Sequence, residues 1–173
     1  AAWDEYVMYG GMPLILERKT EEDKAQYLKS LFSQTYIKDI IERNNIQRID
    51  VLDTIINIMA SSVGSLTNTK KIYDTFISKG QKDVSLNTIN SYVNNIEDTY
   101  IVNKSERYDI KGKKYISTPA KYYFTDVGLR NARLNFRQVE ETHLMENIIY
   151  NELISRGYNV DVGVVEIREM SQR

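Results

Sequence analysis

The sequence predicts a mainly α protein with a small β part, and three observations carry that expectation. Between residues 20 and 98, apolar residues recur at three- and four-residue spacing in four stretches, each with a capping residue or a glycine at one end. Between residues 99 and 125 the apolar period drops to two, with breaks at Gly112 and Pro119. After Arg133, one more helical stretch is followed by one more alternating stretch.

YVMYGGMP, residues 6 to 13, is an apolar run closed by Gly10, Gly11 and Pro13, which predicts a short element ending in a turn. From Thr20, EEDKAQYLKSLFSQTYIKDIIER predicts a helix of about six turns. Thr20 caps it, Glu21, Glu22 and Asp23 suit the positive end of its dipole, and Leu28, Leu31, Phe32 and Ile40 share a face. Asp39 and Arg43, four residues apart, have the spacing of a surface ion pair. VLDTIINIMASSV, residues 51 to 63, predicts a second helix with Leu52, Ile55, Ile56, Met59 and Val63 on one stripe, ended by Gly64. Its additional Val51 and Ile58 predict burial on most sides. SLTNTKKIYDTFISKG predicts a third helix, capped by a serine or threonine, packed through Ile72, Tyr73 and Phe76 and stopped at Gly80.

In VSLNTINSYVNNIEDTYIV, Ser85 makes the cap and Ile89, Tyr92, Val93 and Ile96 make the buried stripe. Asn87, Thr88, Asn90, Ser91, Asn94 and Asn95 fall on the other side. TYIVNKSERYDI then predicts a strand, KGKK a turn around Gly112, and KYYFTD the end of a second strand interrupted at Pro119. Tyr122, Tyr123 and Phe124 are expected to alternate between core and rim. Three helices followed by a hairpin is the layout of a winged helix-turn-helix, expected over residues 49–134. Residues 1–48 are expected to form a helical lid or linker.

Asp126, in AKYYFTDVGLRN, lies where the strand pattern gives way to VGLRNARL. Its carboxylate is expected to cap that helix, with Gly128 allowing close packing. No second carboxylate or base stands near it in sequence to give it chemistry. Residues 135–173 begin a further unit. LMENIIYNELISRG predicts a helix with Met145, Ile149 and Leu153 in line, and YNVDVGVVEIRE a strand with a bulge near Gly163. One helix and one strand cannot bury each other, so this unit is expected to be incomplete, and the chain to be a piece of a larger protein.

The composition narrows the chemistry. There is no cysteine and one histidine, His143, so neither a disulfide framework nor a structural zinc site is expected. No apolar run approaches the ~20 residues of a membrane span, and no signal-peptide pattern opens the chain, which predicts a cytoplasmic protein without a membrane partner. A net charge of −1 gives no general attraction to nucleic acid, so any such binding needs a local patch. From Thr99 to Lys121 the chain carries Lys104, Arg107, Lys111, Lys113, Lys114 and Lys121 against Glu106 and Asp109, six cations less two carboxylates, an excess of four.

YGGMP, SLFSQTYIKDIIERNNI, VSLNTINSYVNNIEDTYIV, KYYFTDVGLRN and ENIIYNELISRGYNVDVG occur in that order. Together they resemble the bacterial and archaeal predicted ATPases that join an AAA-type domain to a C-terminal half of unknown function. The resemblance implies an upstream domain using ATP and magnesium. It also implies that residues 135–173 begin a restriction-endonuclease-like module, with Glu146 matching that module's helix carboxylate. No G-x-x-x-x-G-K-[ST] occurs, so no cofactor is expected for this chain itself. Glu166 and Glu169 do not supply the E-x-D spacing such modules use, and no catalytic or metal-binding residue is assigned.

Two functions stay open. In one, a non-catalytic ATPase fragment binds double-stranded DNA through wing residues Lys104, Arg107, Lys111, Lys113 and Lys114 and through Asn87, Thr88, Asn90 and Ser91 on the third helix. In the other, the absence of Lys or Arg from residues 84 to 98 makes the winged fold a protein-interaction module, with self-association through the C-terminal strand.

Overall fold

In a computed structural model, residues 2–137, 139 and 141–164 are described. Helix α1 (Ala2–Tyr9) leads through a 3-10 turn (Pro13–Ile15) into α2 (Glu21–Leu31). A π-helical turn (Phe32–Ile37) joins α2 to α3 (Lys38–Asn44), so the expected six-turn helix is one run with a wide turn in its middle. Thr20 caps it, accepting from the Asp23 N–H at 3.1 Å. The Asp39–Arg43 pair closes at 3.0 Å on the surface.

Helices α4 (Ile49–Ser61), α5 (Thr69–Ser78) and α6 (Leu86–Glu97) follow, and then the antiparallel hairpin β1 (Val102–Asp109) and β2 (Lys114–Phe124). Ser85 caps α6 as expected, accepting from the Thr88 N–H at 3.1 Å. The cap of α5 is Asn68, which accepts from the Lys71 N–H at 2.7 Å. The expected serine or threonine is displaced because an asparagine one residue before the helix offers an equally short acceptor. Leu52, Ile55, Met59, Ile72, Phe76, Ile89 and Ile96 are fully buried where these three helices meet.

Pro119 does not interrupt β2. Opposite Glu106 alone, β2 spends residues 117–120, since Ser105 pairs with Lys121 while Arg107 pairs with Ile116. Within that bulge Ala120 turns to Thr67, exchanging two backbone bonds of 2.8 and 2.9 Å. A proline has no N–H for a ladder, and the bulge places it where β1 asks for none.

Helix α7 (Val127–Arg133) and helix α8 (Glu141–Ser155) follow, and β3 (Val162–Val164) pairs parallel with β1, giving sheet order β2-β1-β3. Of the strand expected from residue 158, the described residues show Val162–Val164 added to the hairpin. The expected bulge beyond Gly163 and the carboxylates Glu166 and Glu169 lie outside the described residues.

Two further expectations are corrected. Tyr122, Tyr123 and Phe124 do not alternate between core and rim; all three are buried, because helices cover both faces of the sheet at this end. On α8, Met145 and Ile149 are exposed, and the buried face is Leu144, Asn147, Ile148 and Tyr150. The register is set by amides rather than by the apolar stripe: Asn147 and Asn151 both bond to the backbone at the end of β2. One hydrophobic cluster takes residues from each of the three expected segments, from Ile15 and Leu28 through Leu52 and Phe76 to Tyr150.

Candidate nucleic-acid interface

Helix α6 presents Asn87, Ser91, Asn94 and Asp98 as an exposed line at spacings of four, three and four. Thr88 and Asn90 are half-buried beside that line, and the Thr88 hydroxyl lies 2.9 Å from the Ser85 hydroxyl in the cap. The helix carries no cation, and Glu97 and Asp98 reinforce the negative end of its dipole.

Among the hairpin residues, Lys111, Lys113 and Lys114 are exposed at the tip. Asp109 shapes that tip by accepting from the N–H groups of Lys111 (3.1 Å) and Gly112 (2.9 Å). Lys113 has φ +51°, a left-handed conformation that turns the chain back into β2. Tyr115 packs edge-on against Tyr108 with ring centres 5.1 Å apart, and its hydroxyl donates to Asp161 at 3.0 Å. Lys104 lies lower on β1, 3.3 Å from Glu106. Arg107 is half-buried in the central strand, its Nε enclosed without a hydrogen-bond partner.

Six cations therefore do not act as one patch. Lys121 is held by Glu146 at 2.7 Å, and the same carboxylate accepts from the Tyr123 hydroxyl at 2.6 Å. Burial pulls the Glu146 carboxyl upward, but the Lys121 and Tyr123 bonds outweigh it and leave its pKa below the ordinary value. The fold brings Glu97, Glu146 and Asp161 against a hairpin whose sequence excess is four, and three carboxylates taken from four leave one. Lys111, Lys113 and Lys114 remain the exposed cations of the tip.

Between α6 and the hairpin lies an open cleft of about 180 Å³, walled by Asn94 and Glu97 on one side and Lys104, Ser117 and Thr118 on the other. Thr67, Asn68 and Thr69 close one end. Seven residues of hairpin at ~3.3 Å each put the Lys111 backbone roughly 20 Å from that of Lys104, so the tip and the cleft address different parts of any extended partner.

Asp126 is structural, as the sequence predicts, but it does more than cap. It accepts from the Leu129 N–H at 2.9 Å and, across the chain, from the Gly11 N–H at 2.8 Å. Burial raises its pKa, and the Gly11, Leu129 and Gly128 amides work against that rise. Gly10, at φ +71°, comes so close that a Cβ would overlap the Asp126 carboxylate, and a Cβ on Gly128 would overlap the Tyr9 carbonyl. Asn131 donates to the Val7 and Met8 carbonyls at 2.9 Å each, completing the end of α1. Arg130 does the same for α4 by donating to the Ala60 carbonyl at 2.8 Å. Arg133 reaches Asn57 (2.7 Å) and Asp53 (2.9 Å). Helix α7 is a buried polar hub. Of its residues the sequence pointed to Asp126 and Gly128; Arg130, Asn131 and the supporting Asn147 carry no local signal, because the backbone groups they bond lie 23 to 124 residues away.

Among the described residues no three His, Cys, Asp or Glu side chains converge on a metal-sized site, and no helix is long and apolar enough to cross a membrane.

An uncharacterized protein of Haemophilus influenzae is 34% identical over 168 residues, 97% of this chain and 42% of its own length. An uncharacterized protein of Methanocaldococcus jannaschii is 25% identical over 155 residues, 90% of this chain and 34% of its own length. The chain therefore spans less than half the length of either relative. No solved structure matches it. The profile of one family covers residues 1–140, well over half of the sequence, and the chain belongs to that family, described as a domain of unknown function (DUF8612).

Proposed function

We propose that residues 49–134 are a winged-helix module that contacts double-stranded DNA chiefly through the wing lysines Lys111, Lys113 and Lys114. The observation that carries this is the exposure of all three lysines at the hairpin tip, beyond a helix whose outward line is Asn87, Ser91 and Asn94. The Thr67–Ala120 bridge supports the same reading, because it ties the α4–α5 connection to β2 as a short third strand at the base of a wing. Asparagine and serine hydrogen-bond base edges or phosphates without adding charge, so affinity comes from the tip and is salt-dependent. Three lysines neutralise about three phosphates, which makes this a modest, largely sequence-independent contact.

In this reading the chain is a non-catalytic part of a longer ATP-dependent protein, and the DNA contact serves an activity located elsewhere in it. Support for the ATPase comes from the five ordered segments described above, and the relatives, more than twice as long as the matched region, have room for a further domain. The test is fluorescence anisotropy of a labelled duplex in about 50 mM salt. The triple change Lys111→Glu, Lys113→Glu, Lys114→Glu is expected to abolish binding; a duplex bound equally well by the variant would overturn the wing's role.

A second reading has its own observation. Among the described residues β3 has no strand on its outer side, and the outward line of α6 has no cation. Both suit a protein partner or a second copy pairing on the sheet edge. Sedimentation of a strict monomer at tens of micromolar would count against self-association.

A further inference from the structure

We infer that Glu97 is an electrostatic brake on nucleic-acid binding: ionised, it repels a phosphate backbone lying along α6 and across the cleft, and neutral, it lets that contact close. The inference rests on the DNA reading above and names the residue that tunes it. Three features of the cleft single out Glu97. It occupies the wall opposite Lys104, Ser117 and Thr118, so a backbone spanning α6 and the hairpin passes over it. It is half-buried there, unlike its exposed neighbour Asp98, so less water and salt screen its charge. It stands at the C-terminal end of α6, where the helix dipole adds to its sign.

The groups around it set its titration. Burial raises the Glu97 pKa; the Lys104 charge and a hydrogen bond from the Tyr122 hydroxyl lower it, while Asp98 on the same helix and Glu106 on β1 raise it again. The net direction is upward, so Glu97 takes up its proton at a higher pH than a fully hydrated carboxylate does. Acidification therefore releases the brake. His143 lies beside Glu146 on α8, and comparing natural and variant proteins at the same pH removes its contribution.

The test is duplex binding by the whole chain at low salt from pH 8 to pH 5, for the natural protein and Glu97→Gln. Glutamine keeps the acceptor for Tyr122 and deletes the charge. At pH 8 the variant is expected to bind about fivefold more tightly, the effect of one partly screened charge near a phosphate. The natural protein is expected to close that gap as pH falls. Tyr122→Phe, which removes the opposing hydrogen bond, is expected to move the natural protein's transition to higher pH, a shift that a merely structural role for Glu97 would not give. If the duplex binds through the wing lysines but Glu97→Gln gains nothing at pH 8, the brake is overturned and the DNA reading stands. If neither protein binds duplex at any pH, both fall.

Discussion

Asn147 and Phe124 exchange two hydrogen bonds across the boundary between α8 and β2: the Phe124 N–H donates to Asn147 Oδ1 at 2.9 Å, and Asn147 Nδ2 donates to the Phe124 carbonyl at 2.7 Å. A side-chain amide thereby takes the place of a neighbouring strand for a residue whose own side chain is buried, and Asn147 is itself fully enclosed. A buried backbone pair is costly to leave open, so one asparagine fixes how α8 docks.

Asn147→Ala is expected to cost about 3 kcal/mol, the sum of a lost buried bond, an orphaned Phe124 N–H and a small cavity. Asn151 still serves the Phe124 carbonyl at 2.9 Å, which keeps the loss from being larger. Urea unfolding measures it; a loss under 1 kcal/mol would mean that α8 docks without the amide.

Asp126→Ala removes acceptors from two segments at once, the start of α7 and the Gly11 turn. A helix cap alone is worth about 1 kcal/mol. With the second, long-range bond lost as well, about 2 to 3 kcal/mol is expected, again by urea unfolding.

Gly128→Ala is expected to free α1 without unfolding the rest. Its Cβ meets the Tyr9 carbonyl, while α1 itself has no buried side chain to hold it in place. Trp3, the single tryptophan, sits on α1 and reports the change. Faster local depolarisation of its fluorescence, with the main unfolding transition retained, is the expected outcome.

Glu146 makes stability depend on pH in a known direction. Its folded pKa is below the unfolded one, despite an upward pull from burial, because Lys121 and Tyr123 bond the charged form. Its contribution is therefore present above the unfolded carboxyl value of about 4.3 and is lost as pH falls through the lower, folded value. Stability of the natural protein minus that of Glu146→Gln should be constant from pH 8 to 6 and shrink below pH 4. The exposure of the carboxylate keeps the plateau small.

Removing the tip lysines should also flatten the salt dependence of duplex binding. Each phosphate neutralised contributes a slope of about 0.9 in log K against log salt. Changing Lys113→Gln alone is expected to lower the slope by about one, measured by anisotropy over 50 to 200 mM salt.

The sequence by itself determined the helical order, the caps at Thr20, Ser85 and Asp126, and the position of the hairpin, because each depends on residues within a turn or two of one another. Apolar spacing sets which face is buried, and a cap needs only an acceptor three residues before a free N–H. Tertiary structure alone decided which charges remain outside. Glu146, Asp161 and Glu97 come from distant or neighbouring elements to quench a hairpin that reads as strongly basic, leaving three lysines at its tip. It also decided that α8 turns its Met145–Ile149 stripe outward, since the buried amide of Asn147 and the half-buried amide of Asn151, both bonded to the end of β2, outweigh the packing of two exposed apolar side chains. Such bonds link residues far apart in the chain, and no local spacing encodes them.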